Sequence, residues 1–248
     1  MIESTKIVLL SGKGKRFKDS GYIHPKGLLK FNNLELAFLS ANSLPNCIDT
    51  IFGIQKKDSI KYDFEKIKNK NYSKGSKIYE FEEYTDGQAT SCFQIIQNNK
   101  ILTESFFILS CDFSFEVNKK LSNVFLKQND AIVFTYKAKN YNFENSTSYG
   151  WIKSDEKNMV LDVSCKKAFE IQEGNEYIII GGFYFADHNI FKKYYTKLLD
   201  LKRYINNETY IDVIIELMVN DGLNVYNLEV DQFKDFGTPD NFEIEKNK

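Results

Sequence analysis

The sequence predicts an α/β protein: a mixed, mainly parallel central sheet flanked by helices, with a small antiparallel lobe in the second half of the chain. Three observations predict it. Short apolar runs alternate with amphipathic stretches through the first half, the pattern of right-handed βαβ units. Strand-like runs then follow one another with only short turns between them, which favours a mixed sheet or an added antiparallel lobe. No linker, repeat or low-complexity segment separates the halves, so the 248 residues read as one domain.

In chain order, "KIVLL" is a strand and "LELAFLSANSL" has the apolar spacing of a helix. "TIFGI" is the next strand, followed by a lysine-rich helical stretch near 58–70 and the strand "KIYEF". "GQATSCFQIIQNN" reads as a helix opened by a glycine and small polar residues, and "SFFILSCDFSF" as a buried strand running into polar residues. "DAIVFTYKA", "SYGWIKS", "MVLDVS" and "YIIIGGFYFA" form the strand-rich middle. Two amphipathic helices, near 188–204 and 208–221, precede a strand "LNVYNLEV" and the closing "DQFKDFGTPDNFE".

Composition narrows the function. A balance of 33 basic against 34 acidic residues argues against a nucleic-acid or membrane-surface protein, and leaves room for an anionic small molecule held by a few local cations. Almost every cation is lysine; Arg16 and Arg203 stand against that bias, and Arg16 lies in a glycine-containing loop. Cys47, Cys92, Cys111 and Cys165 are widely spaced with no Cys-x-x-Cys, which reads as free thiols in a reducing cytoplasm. With His24 and His188 the only histidines, a zinc site is not expected. No signal-peptide core and no run of transmembrane length is visible, so the expectation is a soluble, cytoplasmic chain.

The loop after the first strand, "SGKGKRFKDSGYIHPKG", is open to two readings. It can be an ordinary surface loop. It can also be a phosphate cradle, in which Gly12 and Gly14 let backbone N–H groups face an anion while Arg16 and Lys26 add charge. It does not match the Walker pattern and lacks the third glycine of a dinucleotide fingerprint. Pro25 restricts His24 to extended conformations and so helps to aim Lys26. Asp112 follows an apolar run and should stand at a strand's C-terminal tip, where it can cap a turn or hold Mg²⁺. Asp235, in "KDFGTPDNF", is a candidate second carboxylate in a segment that also reads as a plain turn.

Taken together these motifs resemble the nucleotidyltransferase superfamily of sugar-phosphate pyrophosphorylases and small-molecule cytidylyltransferases, with its Rossmann-like, glycosyltransferase-A type fold. The resemblance rests on Gly12, Gly14, Arg16, Pro25 and Lys26, on Asp112, and on Asp235, Gly237 and Thr238, in the family's order along nearly the whole chain. It implies a nucleotide-binding half over about 1–115 and an acceptor-binding half over about 116–248. It also implies nucleotide contacts from Ser11, Gly12, Gly14, Gly87 and Gln88, catalytic cations Arg16 and Lys26, and Mg²⁺ on Asp112 and Asp235. Where the family carries Glu-Lys, this chain has "VSCKKAF", so Lys166 or Lys167 takes the acceptor phosphate and the glutamate is missing. Tyr149, Trp151 and Glu208 are further candidates for the acceptor pocket.

The implied reaction is attack by an acceptor phosphate on the α-phosphorus of a nucleoside triphosphate, with pyrophosphate released. The compact length leans toward CTP and a cytidylyltransferase, of the kind that feeds capsule or lipopolysaccharide decoration; a sugar-1-phosphate nucleotidyltransferase using UTP, dTTP or GTP is the alternative. A homodimer is left open. Two other classes are a glycosyltransferase, disfavoured because Asp112-Phe113-Ser114 is not Asp-x-Asp, and a non-catalytic nucleotide-binding protein, disfavoured because both aspartates are present.

Overall fold

The computed structural model describes residues 1–73, 75–98, 103–117, 121–170 and 174–248. Strand β1 (Ile2–Leu9) lies between β4 (Cys47–Gln55) and β6 (Phe106–Ser110), parallel to both, and β5 (Lys77–Phe81) extends the sheet beyond β4, also in parallel. Two short strands, β2 (Lys30–Phe31) and β3 (Leu34–Glu35), form a separate hairpin. Residues Ile7 and Val8, on opposite faces of β1, are fully buried, as a parallel strand covered by helices on both sides requires.

The strand-rich middle resolves as a continuation of the same sheet. Strand β11 (Glu176–Phe185) runs antiparallel to β8 (Ala131–Lys137) along one edge. Its other edge is shared: the C-terminal part pairs with β6 and the N-terminal part with β9 (Gly150–Ser154), which carries β10 (Val160–Cys165) beyond it. The change of partner falls at a bulge between Ile179 and Gly182, where Gly181 has φ +85°. The β9–β10 pair thereby stands beyond the C-terminal tip of β6. Strand β12 (Val225–Glu229) closes the sheet in parallel against β8, and β13 (Asp231–Asp235) pairs with β7 (Phe113–Glu116) outside it.

Two expectations are corrected. The single helix expected near 58–70 is two, Lys56–Tyr62 and Phe64–Asn71, broken at Asp63 in the left-handed region at φ +49°. The break turns Phe64 inward, where its ring meets Phe38 and Phe52. The run "SFFILSCDFSF" is two strands, because β7 leaves the sheet after a turn at Cys111 and Asp112 to join β13. The helix expected from "GQATSCFQIIQNN" runs Gln88–Asn98; its last residue, 99, lies outside the described residues.

Helices Gln88–Asn98, His188–Asp200 and Ile211–Asn220 cover one face of the sheet, and helix Leu36–Asn42 with the pair after β4 covers the other. A third, smaller core has a different task. Phe17, Leu29, Phe31 and Leu36 from the N-terminal loop region pack with Phe236 and Phe242 from the C-terminal segment. It holds the glycine loop against the Asp235 turn, although the two are separated by most of the chain. Among the described residues no helix is long and apolar enough to cross a membrane.

Candidate active site

A cavity of about 820 Å³ opens beyond the C-terminal ends of β1 and β6, where ligands of open α/β sheets bind. Its first wall is the glycine loop. Leu10 continues β1 through a backbone bond to Gly53 O, and the Gln55 amide holds the Ser11 carbonyl. The Ser11 hydroxyl lies 3.3 Å from that of Ser91, which anchors the loop to helix Gln88–Asn98. Gly14 sits at φ +59° before a short helix, Lys15–Asp19. A Cβ on Gly12 or Gly14 would meet nothing within 4 Å, so these glycines border open space instead of relieving a clash within the protein. Arg16 and Lys13 both line the cavity from this loop.

The Pro25-Lys26-Gly27 turn brings a second cation to the same place. A Cβ on Gly27 would lie 2.9 Å from Leu10 Cδ2 and 3.2 Å from Cys111 Sγ, so only glycine lets this turn press onto the ends of β1 and β6. That contact sets Lys26 Nζ 2.5 Å from Asp112 Oδ2. Burial works against the Lys26 charge, but Asp112 and Cys111 outweigh it and hold its proton more tightly than in an ordinary lysine. His24 is instead turned onto the Tyr62 ring, outside the cavity.

Asp112 and Asp235 converge. The point where a Cβ on Gly237 would stand lies 2.9 Å from Asp235 Oδ1 and 3.6 Å from Asp112 Oδ2. The Phe236 N–H donates to the Asp112 carbonyl, which fixes the two turns relative to each other. Asp235 is held by Gly237 N–H at 2.7 Å, Asn241 Nδ2 at 2.8 Å and the Tyr149 hydroxyl at 3.3 Å. Burial pushes its carboxyl up and the Asp112 charge adds to the rise, against the pull of those three hydrogen bonds. The described residues contain no group of three or more acidic, histidine or cysteine side chains that could enclose a metal. Two carboxylates on one edge of a cavity suit a cation whose remaining ligands are water and phosphate, as Mg²⁺ prefers.

Gly87 and Gln88 lie on the floor beside β6. Gly87 has φ +140°, and a Cβ there would stand 2.3 Å from the Thr209 carbonyl oxygen. Backbone bonds Thr209 N–H to Asp86 O and Ala89 N–H to Thr209 O seal that contact. The Gln88 amide donates to the Ser110 hydroxyl at 2.7 Å, leaving its position fixed at the cavity edge.

The opposite wall is built by the start of β9, by Lys166 just past the end of β10 and by the start of helix Ile211–Asn220. Lys166, at φ +61°, enters the cavity; its ammonium donates to Ser148 O at 2.8 Å and lies 5.3 Å from the Tyr210 ring centre. Lys167 faces solvent and pairs with Glu170, so the structure brings only the first of the two lysines to the cavity. Glu208 lies at the rim, accepting from the Tyr210 hydroxyl at 2.6 Å, and Tyr149 lines the cavity. Trp151 does not: it is fully buried beneath β9 and donates to Ser146 O. Sequence reasoning missed Gly27, Asn241 and Asp212. The first two carry no local signal, and Asp212 reads as an ordinary first-turn helix acid.

Fold and site together define a class, an α/β protein with a ligand cavity at the carboxyl ends of its parallel strands. A nucleoside-diphosphate-sugar pyrophosphorylase from Vibrio cholerae superposes with a TM-score of 0.80 at 16% identity, over 98% of this chain and 100% of that one. The inositol-1-phosphate CTP transferase of T. maritima gives 0.69 at 18% identity, over 97% and 92%. A UDP-glucose pyrophosphorylase complexed with UDP-glucose gives 0.72 at 18%, over 100% and 98%. At these identities the likeness is one of fold. No curated protein matches the sequence. The family model for nucleotidyl transferases matches residues 5–248, and the chain belongs to that family. It is thereby a transferase of the nucleotidyl-transferring type, in a family that binds nucleoside triphosphates and sugar phosphates and generally uses divalent metal ions.

Proposed function

We propose that the protein transfers a nucleotidyl group from a nucleoside triphosphate to a small phosphorylated acceptor, with Mg²⁺ held by Asp112 and Asp235. The observation that carries this reading is the convergence of those two carboxylates on one point beside Lys26, in the cavity that Lys166 enters from the opposite wall. Arg16 and Lys26 would bind the β- and γ-phosphates, with the open space at Gly12 and Gly14 admitting them close to the backbone. Gly87 and Gln88 would face the base, and Lys166 would hold the acceptor phosphate. This divides the chain into a nucleotide half over about 1–115 and an acceptor half over about 116–248.

An acceptor phosphate oxygen forms the new bond to the α-phosphorus as the bond from α-phosphorus to the bridging oxygen breaks. Its electron pair leaves with pyrophosphate. The acceptor is already anionic at neutral pH, so no side chain has to remove a proton; the residues position the two anions and offset their charge. Bound Mg²⁺ would neutralise the charge that develops on the phosphates. The pairing of Asp112 with the Lys26 ammonium supports the reading of this edge as one that attracts cations.

We favour CTP and a role in capsule or lipopolysaccharide decoration in the cytoplasm; the CTP transferase among the structural neighbours supports the nucleotide. A sugar 1-phosphate acceptor with UTP, dTTP or GTP is the second reading, supported by the two sugar-nucleotide pyrophosphorylases. A matrix of four nucleoside triphosphates against sugar phosphates and small phosphate esters, scored by pyrophosphate release with and without Mg²⁺, tests both. Acceptor-dependent release with CTP supports the first, release with another triphosphate and a sugar phosphate supports the second, and none with any pair rejects the function.

A further inference from the structure

Asp212 is a carboxylate that the proposed reaction leaves without a task. It stands in the first turn of helix Ile211–Asn220, is only 7% exposed, and lines the cavity. Its contact with β9 is close enough to dictate sequence there: a Cβ on Gly150 would fall 2.0 Å from Asp212 Oδ2. Glycine at 150 is therefore required by the carboxylate that lies across it.

Its partners are weak. The Cys165 thiol donates to it, its own backbone N–H contributes, and the Lys166 ammonium acts on it through charge alone. A thiol is a poor donor, and a carboxylate taken out of water needs more than that to offset its desolvation. Burial accordingly pushes the Asp212 carboxyl up, against the pull of Lys166 and Cys165. Asp212 lines the cavity together with Lys166, the lysine assigned to the acceptor phosphate.

The Tyr210 ring, which lines the cavity with Asp212, is not free to receive a methylated cation. The Lys166 ammonium already sits 5.3 Å from the Tyr210 ring centre, and the Tyr210 hydroxyl is committed to Glu208. A quaternary ammonium gains most from an open aromatic face and has no N–H to offer a carboxylate. A hydroxyl or a protonated amine offers a carboxylate a stronger, more directional donor than the Cys165 thiol does.

We propose that Asp212 selects the acceptor: a small phosphate ester that carries an O–H or N–H donor beside its phosphate, read by this carboxylate, with donor-free esters excluded from productive binding. The carboxylate comes from a helix, and the strand position before Lys166, Cys165, contributes only the thiol behind it. The proposal rests on the nucleotidyl-transfer reading and narrows its acceptor to sugar phosphates, phospho-amino acids and their like, against phosphocholine.

The test is steady-state pyrophosphate release by the whole protein with the nucleotide that the matrix selects. Acceptors are a hydroxyl-bearing sugar 1-phosphate, ethanolamine phosphate, phosphocholine and methyl phosphate; the first two carry a donor beyond the phosphate and the last two do not. The wild type is expected to use at least one donor-bearing ester with a kcat/KM at least tenfold above both donor-free esters. Asp212→Asn is expected to raise the acceptor KM at least tenfold for that ester. The KM for the nucleotide should stay within twofold, and the acceptor KM of the donor-free esters should change several-fold less than that of the donor-bearing ester. Cys165→Ser keeps the carboxylate and gives it a stronger internal donor, so it is expected to raise the same acceptor KM even if Asp212→Asn does not fold. Equal use of donor-bearing and donor-free esters by the wild type overturns the proposal, as does an acceptor KM unmoved in Asp212→Asn, or in Cys165→Ser where Asp212→Asn does not fold. Each of those leaves nucleotidyl transfer standing. Absence of release with every pair rejects the transfer reading itself, and the proposal with it.

Discussion

Lys26 Nζ lies 2.5 Å from Asp112 Oδ2, a contact between the glycine-loop region and the tip of a strand 86 positions later in the chain. It joins the cation assigned to pyrophosphate with a carboxylate assigned to Mg²⁺, so the two act as a unit. In the proposed complex the ammonium would pass from carboxylate to phosphate within the same cavity. Asp112→Asn and Lys26→Met are each expected to lower pyrophosphate release roughly 100-fold, the scale for losing one preorganised charge at a reacting phosphate. The double variant should be little worse than either single one, because residues that act as a unit are not additive. Release unchanged in Asp112→Asn would remove this residue from the metal site.

The loop glycines divide by cause, and stability measurements should separate them. Gly87→Ala must place a Cβ 2.3 Å from the Thr209 carbonyl at φ +140°, where no L residue is comfortable. Backbone strain of this kind costs about 1–3 kcal/mol, and the backbone clash adds to it. Gly12→Ala meets nothing within 4 Å, so its stability should stay within about 0.5 kcal/mol of wild type. Its activity should nonetheless fall, through a higher KM for the nucleotide, if phosphates approach that backbone. Urea unfolding with parallel kinetics distinguishes the two; equal destabilisation by both substitutions would contradict the steric assignment.

Much of this was legible in the sequence because each signal was local. "KIVLL" and "TIFGI" are apolar beyond what one face needs, and they are the parallel core strands β1 and β4. Gly12, Gly14, Arg16, Lys26, Asp112 and Asp235 line one cavity, and it was the family resemblance that grouped them. What the sequence hid depends on contacts between distant segments. The break at Asp63 answers to the aromatic cluster around Phe38, and the departure of β7 answers to β13, more than a hundred residues away. Asp212 is invisible for the same reason: its meaning comes from Gly150 and Cys165, which the fold alone sets beside it.

Cys92 makes the stability depend on alkaline pH. Its thiol is fully buried in helix Gln88–Asn98, and burial pushes its pKa well above the ordinary value. The folded pKa exceeds the unfolded one, so the contribution is complete below the unfolded value of about 8.5 and is lost as pH rises above it. The slope expected is about 1.4 kcal/mol per pH unit for one such thiol. Between pH 9 and 10.5 the urea midpoint of the wild type should therefore fall more steeply than that of Cys92→Ala. Parallel curves would show that this thiol ionises as readily in the folded chain as in the unfolded one.

Lys166 and Lys167 are adjacent in sequence and opposite in situation. Lys166 takes a left-handed backbone conformation that turns it into the cavity between Ser148 O and the Tyr210 ring, whereas Lys167 lies in solvent beside Glu170. An exposed pair of the second kind contributes little to stability, and its loss should pass unnoticed. Lys166→Ala removes the cation proposed to hold the acceptor phosphate; the expected result is an acceptor KM raised at least tenfold with the nucleotide KM within twofold. Lys167→Ala should change both by less than twofold. If Lys167→Ala raised the acceptor KM and Lys166→Ala did not, the backbone turn at 166 would be aiming the wrong lysine, and the acceptor would have to bind outside this cavity.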